Sequence, residues 1–180
     1  SAEPVFIEGE QLLAQPPGGW RQTFATTTRT LRMSQFVPEN EDEEHLTHKI
    51  SFESMASQPL PYPIEFIDLI SGDKERACTD FEGFGTFSGF ENGYPTSVHL
   101  LICPKNKETK KSEVSMIKVI RGNDYFYTIT SARQGAPLDK GVAPLSETVV
   151  AAWSIYLRSI GVCDTTRPEH PCPVSGFPVE

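Results

Sequence analysis

Ser97-Val-His-Leu-Leu-Ile-Cys103, Glu113-Val-Ser-Met-Ile-Lys-Val-Ile120 and Asp124-Tyr-Phe-Tyr-Thr-Ile-Thr-Ser131 precede Ser146-Glu-Thr-Val-Val-Ala-Ala-Trp-Ser-Ile-Tyr-Leu-Arg-Ser-Ile160, and the periodicity changes between them. The first three are short and rich in β-branched and aromatic residues, which predicts strands. Arg121-Gly-Asn123 joins the last two with a hairpin signal. In the fourth segment Val149, Ala152, Trp153, Tyr156, Leu157 and Ile160 return at helical spacing. Ser146 suits the N-cap, Glu147 the positive end of the helix dipole, and Gly161 the C′ position. These features predict a helix over about 146–160 that covers one face of an antiparallel sheet.

Upstream, Pro16-Pro-Gly-Gly19 marks a turn before Trp20, and extended segments follow at Arg21 to Thr27, Leu31 to Val37 and Leu46 to Met55. In the last of these Leu46, His48, Ile50 and Phe52 share a face. Pro59-Leu-Pro-Tyr-Pro63 interrupts the pattern. Ile64, Phe66, Ile67, Leu69 and Ile70 then recur at helical spacing, which predicts a helix over about 62–77. Between this helix and Ser97 lies a Phe/Gly-rich segment with a tight turn at Glu91-Asn-Gly93. The expected class is α+β, with a mostly antiparallel sheet of about six or seven strands and two helices. Residues 1–180 read as a single domain whose tail, 162–180, is tied by a disulfide.

Composition narrows the function classes. The formal net charge of -8 and a pI near 5.0 oppose binding to phosphate backbones. Nucleic acid is therefore not expected as a partner. Lys105, Lys107, Lys110 and Lys111 read as a solvated loop. Apolar runs such as Val98 to Cys103 are far shorter than the roughly 20 residues of a membrane span, so no transmembrane segment is expected.

Cys78, Cys103, Cys163 and Cys172 form an even set without C-x-x-C spacing. On local geometry the expected pairs are Cys78 with Cys103 and Cys163 with Cys172. Each closure would contribute about 2–4 kcal/mol. A competing zinc site would use Cys163, His170 and Cys172, with Cys103, but the Cys-x-His spacing there is awkward. Disulfides imply a periplasmic or secreted protein in its mature form, with Ser1-Ala2 either a cloning remnant or the residues after a cleavage site.

The order of elements, with Pro16-Pro-Gly-Gly-Trp20 opening the sheet and the amphipathic helix around Trp153 closing it, resembles the Mog1/PsbP-like α/β/α sandwich. The Cys163-Asp164 to His170-Pro-Cys-Pro173 pattern resembles the C-terminus of uncharacterised secreted proteobacterial proteins. The resemblance implies a binding or assembly accessory rather than an enzyme, and it brings no catalytic motif.

Candidate chemistry is sparse. Glu41-Asp-Glu-Glu-His45 with His48 has the composition of a divalent-cation site, but a solvated acidic loop is the preferred reading. No G-x-S-x-G motif is present. His99 and His48 are the candidate bases for an alternative reading as an envelope hydrolase. Phe81, Phe84, Phe87, Phe90 and Tyr94, interleaved with glycines, fit neither a strand nor a helix period. Bends at the glycines that turn most rings inward are the preferred explanation. The functional alternative is a recognition surface of Phe84, Phe87, Phe90 and Tyr94 for a protein partner or a small apolar ligand. The leading expectation is thus a non-catalytic binding or accessory protein without cofactor or metal. A toxin-neutralising or virulence-associated secreted protein is a further alternative.

Overall fold

The computed structural model describes residues 7–42, 47–173 and 177. Its elements are β1 (Glu10–Leu13), β2 (Trp20–Thr27), β3 (Leu31–Pro38), β4 (His48–Met55), α1 (Pro63–Ala77), β5 (Cys78–Thr79), β6 (Glu82–Glu91), β7 (Tyr94–Cys103), β8 (Lys105–Asn106), β9 (Ser112–Arg121), β10 (Phe126–Gly135), α2 (Glu147–Arg158) and β11 (Gly161–Asp164). Seven strands form one sheet in the order β2-β3-β4-β10-β9-β7-β6. Every neighbouring pair is antiparallel. Short pairs β1-β11 and β5-β8 stand outside it.

The central strands are apolar on both faces because both faces are covered. On β9, Met116 and Ile120 pack with Leu157 and Ile160 of the α2 region, while Ile117 and Val119 pack with Ile67 of α1. This alternation along one strand defines two cores separated by the sheet. Pro63 opens α1 at the first helical position, where its missing N–H costs nothing. Pro63 and Ile67 are its buried residues, and Phe66 and Ile70 are partly buried. Ile64 and Leu69, assigned to the apolar face from sequence, are exposed.

α2 starts as expected, with the Ser146 side chain accepting from Val149 N at 3.2 Å. Its end differs from expectation. The helix closes on Ser159 in a right-handed conformation, and Gly161 begins β11 rather than serving as C′. The carbonyls freed there are met by Lys118, fully buried at the centre of β9, whose Nζ donates to Leu157 O at 2.8 Å and Ile160 O at 2.7 Å. The same ammonium lies 2.5 Å from Glu91 Oε2. Burial lowers the Lys118 pKa, with Glu91 acting in the opposite sense. Ala152, placed on the buried stripe from sequence, is exposed, and Val150 and Trp153 pack against the core.

Both expected disulfides form, with Cα–Cα distances of 5.5 Å for Cys78–Cys103 and 4.9 Å for Cys163–Cys172. They belong to an oxidising environment. The first joins the end of α1 to the end of β7. Among the described residues no helix is long and apolar enough to cross a membrane.

Candidate binding surface

β6 forms an edge of the sheet and pairs only with β7 among the described residues. Its ten residues, Glu82-Gly-Phe-Gly-Thr-Phe-Ser-Gly-Phe-Glu91, carry charges only at the two ends. Along its outer side the backbone N–H and C=O groups lack a strand partner, as at any sheet edge.

The irregular phenylalanine spacing has a simple geometric origin. Register shifts by one residue between Gly85 and Phe87, so Thr86 is an extra residue in the strand. Phe84 lies opposite Leu100, and Phe87 opposite Val98. Cross-strand partners share a face, so the bulge returns two rings three residues apart to the same side, that of α2. Phe90, opposite Pro95, stands on the other side. The bulge thus aligns Phe84 and Phe87 but does not bury them. Phe84 is 49%, Phe87 41% and Phe90 72% exposed, which overturns the expectation that bends at the glycines turn most rings inward. Phe81 alone of these phenylalanines packs against a core.

Tyr94 does not belong to this surface. It is 1% exposed and stacks on His170 with ring centroids 3.8 Å apart and planes 14° apart. His170 Nδ1 lies 2.8 Å from Asn92 O, so the ring donates to that carbonyl. Asn92 Nδ2 in turn donates to Val162 O and Pro171 O, each at 2.9 Å. Asn92 and Gly93 have φ of 49° and 80°, the left-handed pair of a type I′ hairpin turn. A Cβ on Gly93 would stand 2.8 Å from His170 Nδ1. The His-Pro-Cys motif therefore clasps the β6–β7 turn. Its thiols are bonded to each other, so the zinc reading has no thiolate ligands.

Of the two candidate bases, His48 has a hydroxyl within hydrogen-bond distance among the described residues, that of Thr47, and His99 has none. His99 faces α1 from β7, opposite Gly85 of β6. Burial lowers its pKa, and Asp68 opposes the shift. No serine or threonine hydroxyl is hydrogen-bonded to it among the described residues, and every cysteine is in a disulfide. His48 Nδ1 lies 3.0 Å from Thr47 Oγ1 and 3.5 Å from Glu41 Oε2. Burial raises the Glu41 pKa, but the hydrogen bonds from Thr47 and the charge of His48 hold it below the ordinary carboxylate value. This trio ties the loop before β4 to the start of that strand. His45, the other histidine of the proposed cation site, lies outside the described residues.

One acidic cluster was not visible in sequence because its members are far apart in the chain. Carboxylate oxygens of Glu10, Asp124 and Asp164 come within 4.8 Å of one another. Glu10 accepts from Asn123 N at 2.8 Å, Asp124 N at 3.2 Å, Tyr125 N at 3.3 Å and Tyr127 Oη at 3.0 Å. Arg167 approaches all three carboxylates at 3.5–4.0 Å. Gly122 is required beside it, since a Cβ there would lie 2.1 Å from Glu10 Oε1. The cluster is a clamp on the β9–β10 loop with its own counter-ion.

No protein-family model matches the chain, and no curated protein matches it. Five solved chains are similar in structure. A mutant of the protein Mog1 superposes with a TM-score of 0.52 at 16% identity, over 87% of this chain and 97% of its own. The Saccharomyces cerevisiae Ran-binding protein Mog1p gives a TM-score of 0.50 at 15% identity, over 92% of this chain and 100% of its own. At these identities the likeness is one of fold, and the chain has the Mog1/PsbP-like α+β sandwich.

Proposed function

We propose that the protein is a non-catalytic binding or accessory protein, periplasmic or secreted, that engages a protein partner along β6. The observation that carries this reading is the combination on one strand of an unpaired edge with three exposed aromatic rings. An extended segment can add to such an edge, with main-chain hydrogen bonds giving affinity and side-chain contacts giving specificity. Phe84 and Phe87 would contact alternate side chains of that segment on one face, and Phe90 on the other. The net charge of -8 favours a partner segment bearing basic residues. Two disulfides support an oxidising compartment. One solved protein of this fold is described as Ran-binding, so association with a protein has a precedent on this scaffold.

The test compares capture by the wild type with capture by a Phe84→Lys/Phe87→Lys double variant, using periplasmic and secreted fractions. Both side chains are exposed, so the variant should keep its thermal midpoint and circular dichroism. Saturable binding of one protein by the wild type, lost in the folded variant, is the expected result. Undiminished binding by the variant, or saturable binding to neither, would sink the proposal.

A further inference from the structure

α1 covers the sheet unevenly. It packs against β7 and β9, and beside it the same face of β3, β4 and β10 is left open. A cavity of about 520 Å³ lies in this angle, within the range that takes small molecules. Its two surfaces differ in chemistry. The floor is sheet, with Gln35 of β3, Ser51 and Glu53 of β4, Thr128 and Thr130 of β10 and Ser115 of β9. Strand pairing sets Gln35, Ser51 and Thr130 in one row across three strands, and Glu53 beside Thr128 in the next. The wall is apolar, made by Phe66 and Ile70 of α1 with Leu101 and Ile117 of the strands beneath the helix.

The floor lacks partners. Among the described residues none of its hydroxyls, nor the Gln35 amide or the Glu53 carboxylate, has a side-chain hydrogen bond within the protein. Ser115 and Thr128 are only 7% and 5% exposed. A polar group so withdrawn from water is costly to keep unpaired, and a ligand that pairs it gains. The remaining charges of the lining gather at one end, where the starts of β4 and β9 meet the end of β10. Glu113 there accepts from Gln134 Nε2 at 3.4 Å, and His48 lies 3.0 Å from Thr47 Oγ1 and 3.5 Å from Glu41 Oε2. Lys49 and Arg133 at that end are exposed to solvent. Lys74 belongs to the same end, because Cys78 just beyond α1 is bonded to Cys103, which pairs with Glu113. Both signs occur in this group, so the lining selects for hydrogen-bonding groups rather than for one charge.

A pyranose ring carries hydroxyls around its edge and C–H groups on its faces. With one face on the apolar wall it turns its edge to the floor, where serine and threonine hydroxyls donate and accept and Glu53 accepts. We propose that this cavity binds a sugar of the pyranose class, its C–H face on Phe66 and Ile70 and its hydroxyls on Ser51, Glu53, Thr128 and Thr130. This site is separate from β6 and does not depend on the partner reading.

The probes are the methyl α-pyranosides of glucose, galactose and mannose, with cyclohexanol as a ring of similar size that carries a single hydroxyl. Binding is followed by amide chemical shifts of the oxidised full chain, with each probe raised to about 50 mM. At least one pyranoside should shift Ser51, Glu53, Thr128 and Thr130 saturably, and cyclohexanol should bind about tenfold more weakly or worse. Thr128→Val and Thr130→Val keep the shape of the floor and each remove a hydroxyl that has no partner in the protein. Each variant should therefore keep the wild-type urea midpoint while binding the same pyranoside about tenfold more weakly. Absence of saturable shifts with all three pyranosides, shifts confined to other parts of the sheet, cyclohexanol binding as tightly as the sugars, or unchanged sugar affinity in both variants would overturn the proposal. The comparison with cyclohexanol uses only the wild type, so the test stands even if a variant fails to fold.

Discussion

Replacing Lys118 by methionine isolates what a buried ammonium does in the middle of a sheet. Methionine preserves most of the aliphatic path through the core and removes only the charged tip. Two helix-terminal carbonyls, Leu157 O and Ile160 O, then lose a donor that stood 2.7–2.8 Å away. Leu157 O keeps the Ile160 N–H at 3.2 Å, so the larger loss falls on Ile160 O, and a buried acceptor that loses its donor costs about 1–3 kcal/mol. Glu91 is less affected, because its side chain is 30% exposed and can turn to water. Against these losses stands the relief of desolvating the ammonium, several kcal/mol in other buried ion pairs. The carbonyl loss outweighs that relief, so Lys118→Met should destabilise by about 1–3 kcal/mol, or roughly 2–12 °C in Tm for a domain this size. Lys118→Ala should lose about 2 kcal/mol more through the cavity it leaves. Glu91→Gln, which keeps an acceptor, should cost only about 1 kcal/mol. Urea unfolding of the oxidised protein at neutral pH gives all three values on one scale. A Lys118→Met protein as stable as the wild type, with an unchanged m-value, would show that the helix end does not depend on this capping and would refute the reasoning.

Three other perturbations have definite outcomes. With cysteine separations of 9 and 25 residues, the chain-entropy model gives a loss of about 2.7 kcal/mol for Cys163→Ser/Cys172→Ser and about 3.5 kcal/mol for Cys78→Ser/Cys103→Ser, measurable as a difference in urea midpoints. Gly93→Ala meets both a positive φ and the His170 ring, so it should destabilise by at least about 1 kcal/mol and weaken the ring-current shift of His170 seen by NMR. Burial raises the phenol pKa of Tyr94, Tyr127 and Tyr156, with the Glu10 charge adding to it at the first two. The unfolded chain therefore releases these protons first, and stability should fall as pH rises above about 10. Urea midpoints that stay level through that range would contradict this assignment.

The parts of the fold that rest on local pattern were legible in the sequence. β7, β9 and β10 followed from their β-branched and aromatic runs, α2 from its apolar spacing and Ser146 cap, and the two disulfides from the positions of elements around them. What escaped depends on contacts between distant residues or on a single inserted residue. Lys118 looks like an outward-facing polar residue in a strand, and only the end of α2, about forty positions later, explains its burial. That same lysine serves the helix end in place of a glycine cap, so Gly161 is free to begin β11. Glu10 and Arg167 meet across almost the whole chain. At β6 the period of three defeated the strand template because one bulge at Thr86 reverses the side-chain parity halfway along. Tyr94 falls among the candidate recognition residues in the sequence because composition does not separate the last residue of an aromatic series from the first residue of the next strand. The cavity beside α1 was invisible because it arises from the helix covering only part of a face.

The clasp of His170 and Asn92 on the β6–β7 turn also bears on the thermodynamics of recognition. A hairpin at the border of a sheet ordinarily frays from its turn, and its side chains sample many positions. Here the turn is fastened by a stacked ring, by three hydrogen bonds and by a loop that the Cys163–Cys172 bond closes. The conformational entropy of the strand is therefore lost when the chain folds rather than on association with the partner proposed above. A surface ordered in advance binds more tightly for the same area, and its dissociation rate is the quantity that loosening the clasp should change first.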